Sequence, residues 1–219
     1  MQKKINLTEG GIVEKLVKIA IPIMATSFIQ IAYNLIDMMW VGKNGSNSVA
    51  AVGTAGFYPW LAMAFVMFSK IGGEVKVAQS MGEKNIKEVK SYIKSSIELN
   101  VFLSLTYSLI LILFNKQLIR IFINDEATTV IAASYLSAVA FSQIFSAIEM
   151  ISNGMFTGIG KPKIPATISI IFTSFRIPLA ILLIKPFGIS GIWISICVSS
   201  ILKGISSYLI YEVKIKRNL

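Results

Sequence analysis

Ala20-Ile-Pro-Ile-Met-Ala-Thr26-Ser-Phe-Ile-Gln30-Ile-Ala-Tyr33-Asn34-Leu-Ile-Asp37-Met-Met-Trp-Val41 is the stretch that decides the fold class. It is apolar over a length that, at about 1.5 Å per helical residue, crosses a hydrocarbon core of about 30 Å. Thr26, Gln30, Tyr33 and Asp37 fall at i, i+4, i+7 and i+11, so they share one helix face, with Asn34 at its edge. The opposite face, carrying Ile29, Leu35, Ile36 and Met39, can meet lipid. A charged residue at mid-span costs about 2.5–3.5 kcal/mol on the insertion scale and reads as functional by default. The polar face is therefore expected to line a cavity. The plainer alternative is hydrogen bonding between helices.

Five more apolar runs follow. Candidate spans lie at 18–41, 49–80, 93–114, 129–154, 165–184 and 189–212, separated by short Gly, Asn and Pro turns. The 219 residues are 54% hydrophobic and only 15% charged, and mean hydropathy is +0.70. Soluble domains carry about 25% charged residues, so a soluble globule is the wrong expectation. An all-α integral membrane protein with a six-helix bundle is the right one. Its second span is too long for the hydrocarbon core, so its last turns from Lys70 to Ser80 should reach the headgroups. Pro59 and Pro178 should kink the helices that hold them. The Phe- and Met-rich second helix, including Phe57, Trp60 and Phe68, reads as lipid and packing surface.

The net charge of +10 is explained by topology. With a cytoplasmic N-terminus, 13 Lys and Arg fall on the inner side against 4 on the outer side. That follows the positive-inside rule and places both termini in the cytoplasm of a multi-pass cell-membrane protein. Lys84, Lys87, Lys90 and Lys94 form the main inner group; anionic lipid is the less favoured partner for them and a solvated loop the favoured one. No nucleic acid is needed. The first apolar run is too long for a signal-peptide core, so helix one is expected to remain in the mature protein.

Two further stripes carry chemistry. Ser142, Ser146, Glu149 and Asn153 repeat the i, i+4, i+7, i+11 spacing, and Ser195, Ser199, Lys203 and Ser206 form the third. Counted from the helix ends, Asp37 and Glu149 should differ in depth by roughly 15 Å, too far for a catalytic dyad. Glu149 has basic candidates near its own depth in Lys70, Arg176 and Lys203, so an internal charge network is its expected role. Lys70 and Glu74 stand at i, i+4 and should pair on the helix surface. Asp37 has no base near it in sequence or apparent depth, and an unpaired carboxylate would take up a proton or hold a cation. Asp37 is the expected ion-coupling residue; Thr26, Gln30, Tyr33, Asn34, Ser146, Glu149 and Asn153 are the expected cavity lining. With no histidine, a single cysteine (Cys197) and no Walker A, GxSxG, HExxH or CxxC motif, neither an enzyme nor a bound metal or cofactor is expected.

Several motifs now fall into place together. They are Asp37-Met-Met-Trp-Val-Gly42, Val49-Ala-Ala-Val-Gly53, Val77-Ala-Gln-Ser-Met-Gly82 and Gly154-Met-Phe-Thr-Gly158-Ile-Gly160-Lys-Pro-Lys-Ile-Pro165, with Phe122-Ile-Asn-Asp125 and Tyr135-Leu136 between. The combination resembles the multidrug and toxic compound extrusion (MATE) transporters. That family is built from two six-helix halves of the same orientation facing each other across a cleft. Each loop motif recurs in both halves there and appears once here, so the chain looks like one half. Residues 1–114 resemble the family's first three helices, and 118–219, with Arg176-Ile-Pro178, Gly191-Ile-Trp193 and Leu202-Lys203-Gly204, look like its last three. The resemblance implies secondary antiport, exporting amphipathic or cationic organic compounds in exchange for H⁺ or Na⁺, with Asp37 mapping onto the helix-one aspartate. The family's cation site adds Asn and Asp from the fifth helix; here that helix reads Phe172-Thr-Ser-Phe-Arg-Ile-Pro-Leu179, which favours a proton. The alternatives are a non-transporting membrane subunit or remnant, and a flippase for lipid-linked oligosaccharide. The expected partners are the lipid bilayer, small organic substrates, and a second lobe from a homodimer or another half-transporter.

Overall fold

The computed structural model describes residues 12–215. The side chain of Thr26 lies outside the described residues, as do those of Lys3, Lys4, Lys15, Lys18, Lys214, Lys216 and Arg217 from the charge count. The chain folds into helices α1 (Ile12–Gly42), α2 (Ser46–Ala55), α3 (Phe57–Gly82), α4 (Ile86–Leu113), α5 (Asn115–Arg120), α6 (Glu126–Gly158), α7 (Lys163–Phe187) and α8 (Ile189–Ile210), ending in one π-helical turn at Tyr211–Ile215. Among the described residues, five stretches are long and apolar enough to cross a membrane: Ser46–Gly82, Ile86–Leu113, Glu126–Gly158, Lys163–Phe187 and Ile189–Val213. The sixth long helix, α1, has 31 residues, about 46 Å at 1.5 Å per residue. The fold is all-α, as the hydropathy requires.

The long second span is divided at Gly56, one turn ahead of the expected kink. Pro59 has no N–H to offer the carbonyl of Ala55, so the ladder fails there. Gly56 keeps helical dihedrals (φ −63°, ψ −20°), so the division is a single residue and not a loop. Pro178, by contrast, falls inside an α7 that runs unbroken. The sequence reading also missed α5, a short helix at the expected Asn115-Lys116 break, anchored by buried Ile119.

Two polar caps set helix starts. Asn85 accepts the Glu88 N–H at α4, and Asp125 accepts the Thr128 N–H at 2.8 Å at α6. The Thr128 hydroxyl also donates to Asp125, and these bonds hold the Asp125 carboxyl below its usual range. A carboxyl with a depressed folded pKa contributes its stability above the unfolded value of 3.8 and loses it as pH falls through the lower folded value. The α6 cap therefore survives mild acid.

Helix α6 is the shaft of the bundle, packing against α2, α3, α4, α5 and α8, while α1 leans mainly on α7. Val77, Val89, Ile93, Ile151, Met155 and Tyr211 close one end; Val41, Ile192 and Trp193, with Ala51, Leu111 and Leu136 nearby, close the other. The α3–α4 and α6–α7 turns thus share an end, and their lysines with them. The seams between helices are lined by small and hydroxyl residues, as lipid-embedded bundles prefer. Ser108 donates to the Ala140 carbonyl at 2.7 Å, Cys197 to that of Ala138 and Ser199 to that of Phe172 at 3.0 Å. The outward faces are apolar: Phe28, Leu35 and Met39 on α1, and Phe57, Trp60 and Phe68 on α3, are all exposed.

Helices α6 and α8 approach tightly at Gly204, where a Cβ would stand 2.5 Å from the Phe145 carbonyl oxygen. Backbone cannot yield as a side chain can, and overpacking costs about 1–3 kcal/mol. Gly204→Ala should therefore lower the midpoint of thermal unfolding in detergent. Gly72→Ala, with nothing within 4 Å of the added carbon, should raise it slightly, because alanine gains about 1 kcal/mol over glycine in a helix.

Candidate functional site

The polar face of α1 is consumed by α7. Gln30 Nε2 donates to Ser169 Oγ at 2.9 Å, and the Tyr33 hydroxyl meets Ser174 Oγ at 2.7 Å. Arg176 donates to Asn34 Oδ1 at 3.4 Å and forms an ion pair with Asp37. The sequence separation stays between 139 and 142 across all four contacts. A constant offset means two parallel helices in fixed register. The Arg176 and Asp37 side chains are 12% and 14% exposed.

This corrects the expectation for Asp37, which is not an unpaired carboxylate. Depth counted from helix ends placed Arg176 with Glu149, because it ignored tilt and the reach of a guanidinium. The register of α1 against α7 brings Arg176 to Asp37 instead. Glu149 does belong to an internal charge pair, with Lys203 of α8 at 3.1 Å. Its other oxygen accepts from Ser169 at 3.4 Å. Ser169 therefore joins Gln30 to Glu149 and links α1, α7, α6 and α8 in one hydrogen-bonded chain. Ser169 and Arg176 lie seven residues apart on α7, about 10 Å at 1.5 Å per residue, so the two ion pairs occupy separate depths.

Two cavities flank this chain. The first, about 330 Å³, takes Asn34, Asp37, Ser146 and Arg176 into its wall. Tyr135 and Trp193 stand beside them in an edge-to-face contact with centroids 4.8 Å apart, and the buried indole N–H of Trp193 has no hydrogen-bond partner. The second, about 290 Å³, is lined by Gln30, Lys70, Glu74, Asn153 and Ser169, and Asn153 Oδ1 is buried without a partner. Lys70 lies close enough to act electrostatically on the Glu74 carboxylate. Both rest against Gly154 of α6, where a Cβ would stand 2.8 Å from Lys70 Cγ and 3.2 Å from Glu74 Oε2. Gly154 makes room for the charges.

Of the residues expected to line a cavity, Gln30, Asn34, Ser146 and Asn153 do so. Tyr33 is held by α7, and Glu149 is buried against α7 and α8. Sequence reasoning missed Tyr135, Gln143 and Trp193 as lining of the Asp37 cavity. Their aromatic and amide character was visible, but each stands apart from the serine-and-charge stripes that were followed.

The MatE family model matches residues 22–182. The probable multidrug resistance protein YpnP of Bacillus subtilis is 23% identical over 86% of this chain and 43% of its own length. The probable multidrug resistance protein NorM of Haemophilus ducreyi is 23% identical over 97% of this chain and 47% of its own. Among solved structures, an outward-facing multidrug resistance MATE family transporter superposes with TM-score 0.86 at 22% identity, over 99% of this chain and 48% of that one. The Vibrio cholerae MATE transporter VcmN in its bent form gives 0.85 at 20% identity, over 97% and 49%. The chain spans about half the length of the relatives it matches, and its bundle is that of one lobe of a multi-pass membrane transporter.

The Glu149–Lys203 pair has a measurable structural consequence. Glu149→Gln strands a buried ammonium, and breaking such a pair costs about 3–5 kcal/mol. A lower unfolding midpoint in detergent is the expected outcome. Glu149→Gln combined with Lys203→Met should recover most of the loss, since no unpaired charge remains.

Proposed function

The chain belongs to the multidrug and toxic compound extrusion (MATE) family, whose model covers most of it, and on that premise we propose that it is a lobe of a secondary antiporter. The lobe takes up amphipathic, often cationic, organic compounds and exports them in exchange for H⁺ or Na⁺. The observation that carries the reading is the Asp37–Arg176 pair at the wall of the 330 Å³ cavity. A charge pair inside a bilayer is kept at a cost, and this one joins two helices that three side-chain hydrogen bonds also connect. An incoming proton or sodium ion competes with Arg176 for Asp37. Release of Asp37 from the guanidinium weakens one of the ties between α1 and α7 and shifts the balance between two arrangements of the lobe.

The aromatic pair Tyr135 and Trp193 offers π faces beside a carboxylate, which suits an organic cation. A flippase for lipid-linked oligosaccharide would call for a basic cavity. Each cavity here sets one base against one acid, Arg176 against Asp37 and Lys70 against Glu74, which speaks against that alternative. The cytoplasmic placement of both termini is retained in the proposal, because the lysines of the α3–α4 and α6–α7 turns gather at one end.

A cleft of the family type needs a second lobe. Two copies related by a two-fold axis along the membrane normal would supply one, with the isologous geometry most homodimers use. Mass in native nanodiscs, together with cross-linking of a cysteine placed at Met39 in a Cys197→Ser background, tests this. A dimer mass and a cross-link are expected. A stable monomer that moves no substrate would leave the second reading, a membrane subunit without transport of its own.

Transport itself is tested in proteoliposomes with ethidium as the cation and an imposed H⁺ or Na⁺ gradient. Asp37→Asn alone should abolish gradient-driven export and also lower thermal stability, because it leaves Arg176 buried and uncompensated. The double variant Asp37→Asn/Arg176→Gln should regain stability and remain at least about tenfold slower, a loss worth about 1.4 kcal/mol of coupling. Export at the wild-type rate by the double variant would remove Asp37 from the coupling step.

A further inference from the structure

Gln143 of α6 belongs to two cavities at once. It lines the polar Asp37 cavity, and it also forms part of a separate, almost wholly apolar pocket of about 190 Å³ between α3 and α4. Ala62, Phe65 and Val66 of α3 and Phe102, Thr106 and Tyr107 of α4 make the pocket's walls. Its mouth opens sideways. Phe65 and Phe102 are both exposed, and the α4 face that carries Phe102 continues through Leu99, Leu105, Leu109 and Leu113, all exposed and all apolar. A continuous apolar face of that length on a membrane helix faces lipid.

At the floor, the Gln143 side chain is an anomaly. The residue is only 7% exposed, and its amide makes no hydrogen bond among the described residues. Buried amides are normally paired, and lipid supplies no partner. Its neighbours Ser142 and Ser146 satisfy their hydroxyls on backbone carbonyls of their own helix. Gln143 has no such outlet, and the free space beside it is apolar on one side and polar on the other. Packing alone would favour Leu or Met here.

We propose that the α3–α4 pocket binds small amphipathic molecules dissolved in the bilayer, and that Gln143 recognises their polar head. An apolar ring or chain fills the space under Phe65 and Phe102, while one donor or acceptor on the molecule bonds the Gln143 amide. Because Gln143 also lines the Asp37 cavity, the pocket is a side entrance from lipid to the polar interior. As a binding site it stands apart from the transport reading; as an entrance it rests on it. A phospholipid acyl chain would fill the apolar space and leave the amide unmet, so the commitment is to a molecule with a hydrogen-bonding head.

The test uses N-phenyl-1-naphthylamine, an apolar two-ring amine with one N–H, and the full chain in nanodiscs. Energy transfer from the protein's tryptophans reports binding over the bilayer background. Saturable binding is expected, weakened about tenfold by Gln143→Met, which keeps the length and removes the hydrogen bond. Because Gln143→Met removes no hydrogen bond among the described residues, its thermal stability should match wild type, so weaker binding cannot be put down to misfolding. Thr106→Trp, at an exposed position on the rim, should block the pocket and abolish binding. Unchanged affinity in both variants overturns the site, whether or not ethidium is exported. Binding that Thr106→Trp abolishes but Gln143→Met leaves intact also overturns it, since the pocket then holds any apolar chain. Binding lost as expected in a protein that exports nothing sustains the site and counts against the antiport reading alone.

Discussion

A charge held inside a bilayer must find its counter-charge at its own depth, because neither lipid nor distant solvent will compensate it. In this lobe that requirement fixes the register of α1 against α7. Asp37 and Arg176 meet, and the pairs before them in sequence, Tyr33 with Ser174 and Gln30 with Ser169, follow at offsets of 141 and 139 against 139 for the ion pair. A slide of α1 by one turn would break the ion pair and both hydrogen bonds together. Hydrophobic matching to lipid cannot set such a register, since any apolar face satisfies the lipid equally well. The ion pair is therefore a positioning device as much as a functional group.

The same requirement explains α6. A helix that touches six others cannot carry large side chains all round, so it buries the small residues Ala132, Ala140, Ala147 and Gly154 among its neighbours. Its charged groups are two, Glu126 at its start and Glu149 within it. Glu149 is neutralised by Lys203 of α8, and Gly154 opens the space that Lys70 and Glu74 of α3 occupy. Ser169 then ties the Glu149 pair to α1 through Gln30. Helices α1, α6, α7 and α8 are joined in this one network.

The helical class, the approximate spans and the polar stripes were legible in the sequence because each depends on local periodicity and hydropathy alone. That Glu149 belongs to an internal charge pair was legible too, with Lys203 one of three candidate bases at similar depth. Asp37 with Arg176 was not. Pairing between α1 and α7 depends on tilt and register, and neither leaves a mark in a single chain read helix by helix. The division at Gly56 lies one turn before Pro59 for a different reason. A proline announces the carbonyl it cannot serve, four residues earlier, and the helix divides at the nearest residue with freedom to do so. Gln143 escaped notice because a lone glutamine between Ser142 and Ile144 belongs to no stripe; only the cavities on either side of it give it meaning.

Arg176 also bears on the choice of coupling ion. A sodium site needs several oxygens that converge on an empty centre, and the Asp37 carboxylate already faces a guanidinium that Asn34 Oδ1 shares. Sodium would have to displace a permanent cation and recruit further oxygens from α7, where Thr173 and Ser174 offer hydroxyls in place of carboxylate or amide. A proton needs no cage. It need only meet the carboxylate at a moment when Arg176 has moved to Asn34, a neutral acceptor already within reach. In the proposed cycle the asparagine thus holds the guanidinium while Asp37 is protonated, so the membrane interior never contains an unsolvated arginine. This asymmetry in the number of ligands required is the physical reason to favour H⁺ over Na⁺ in this lobe.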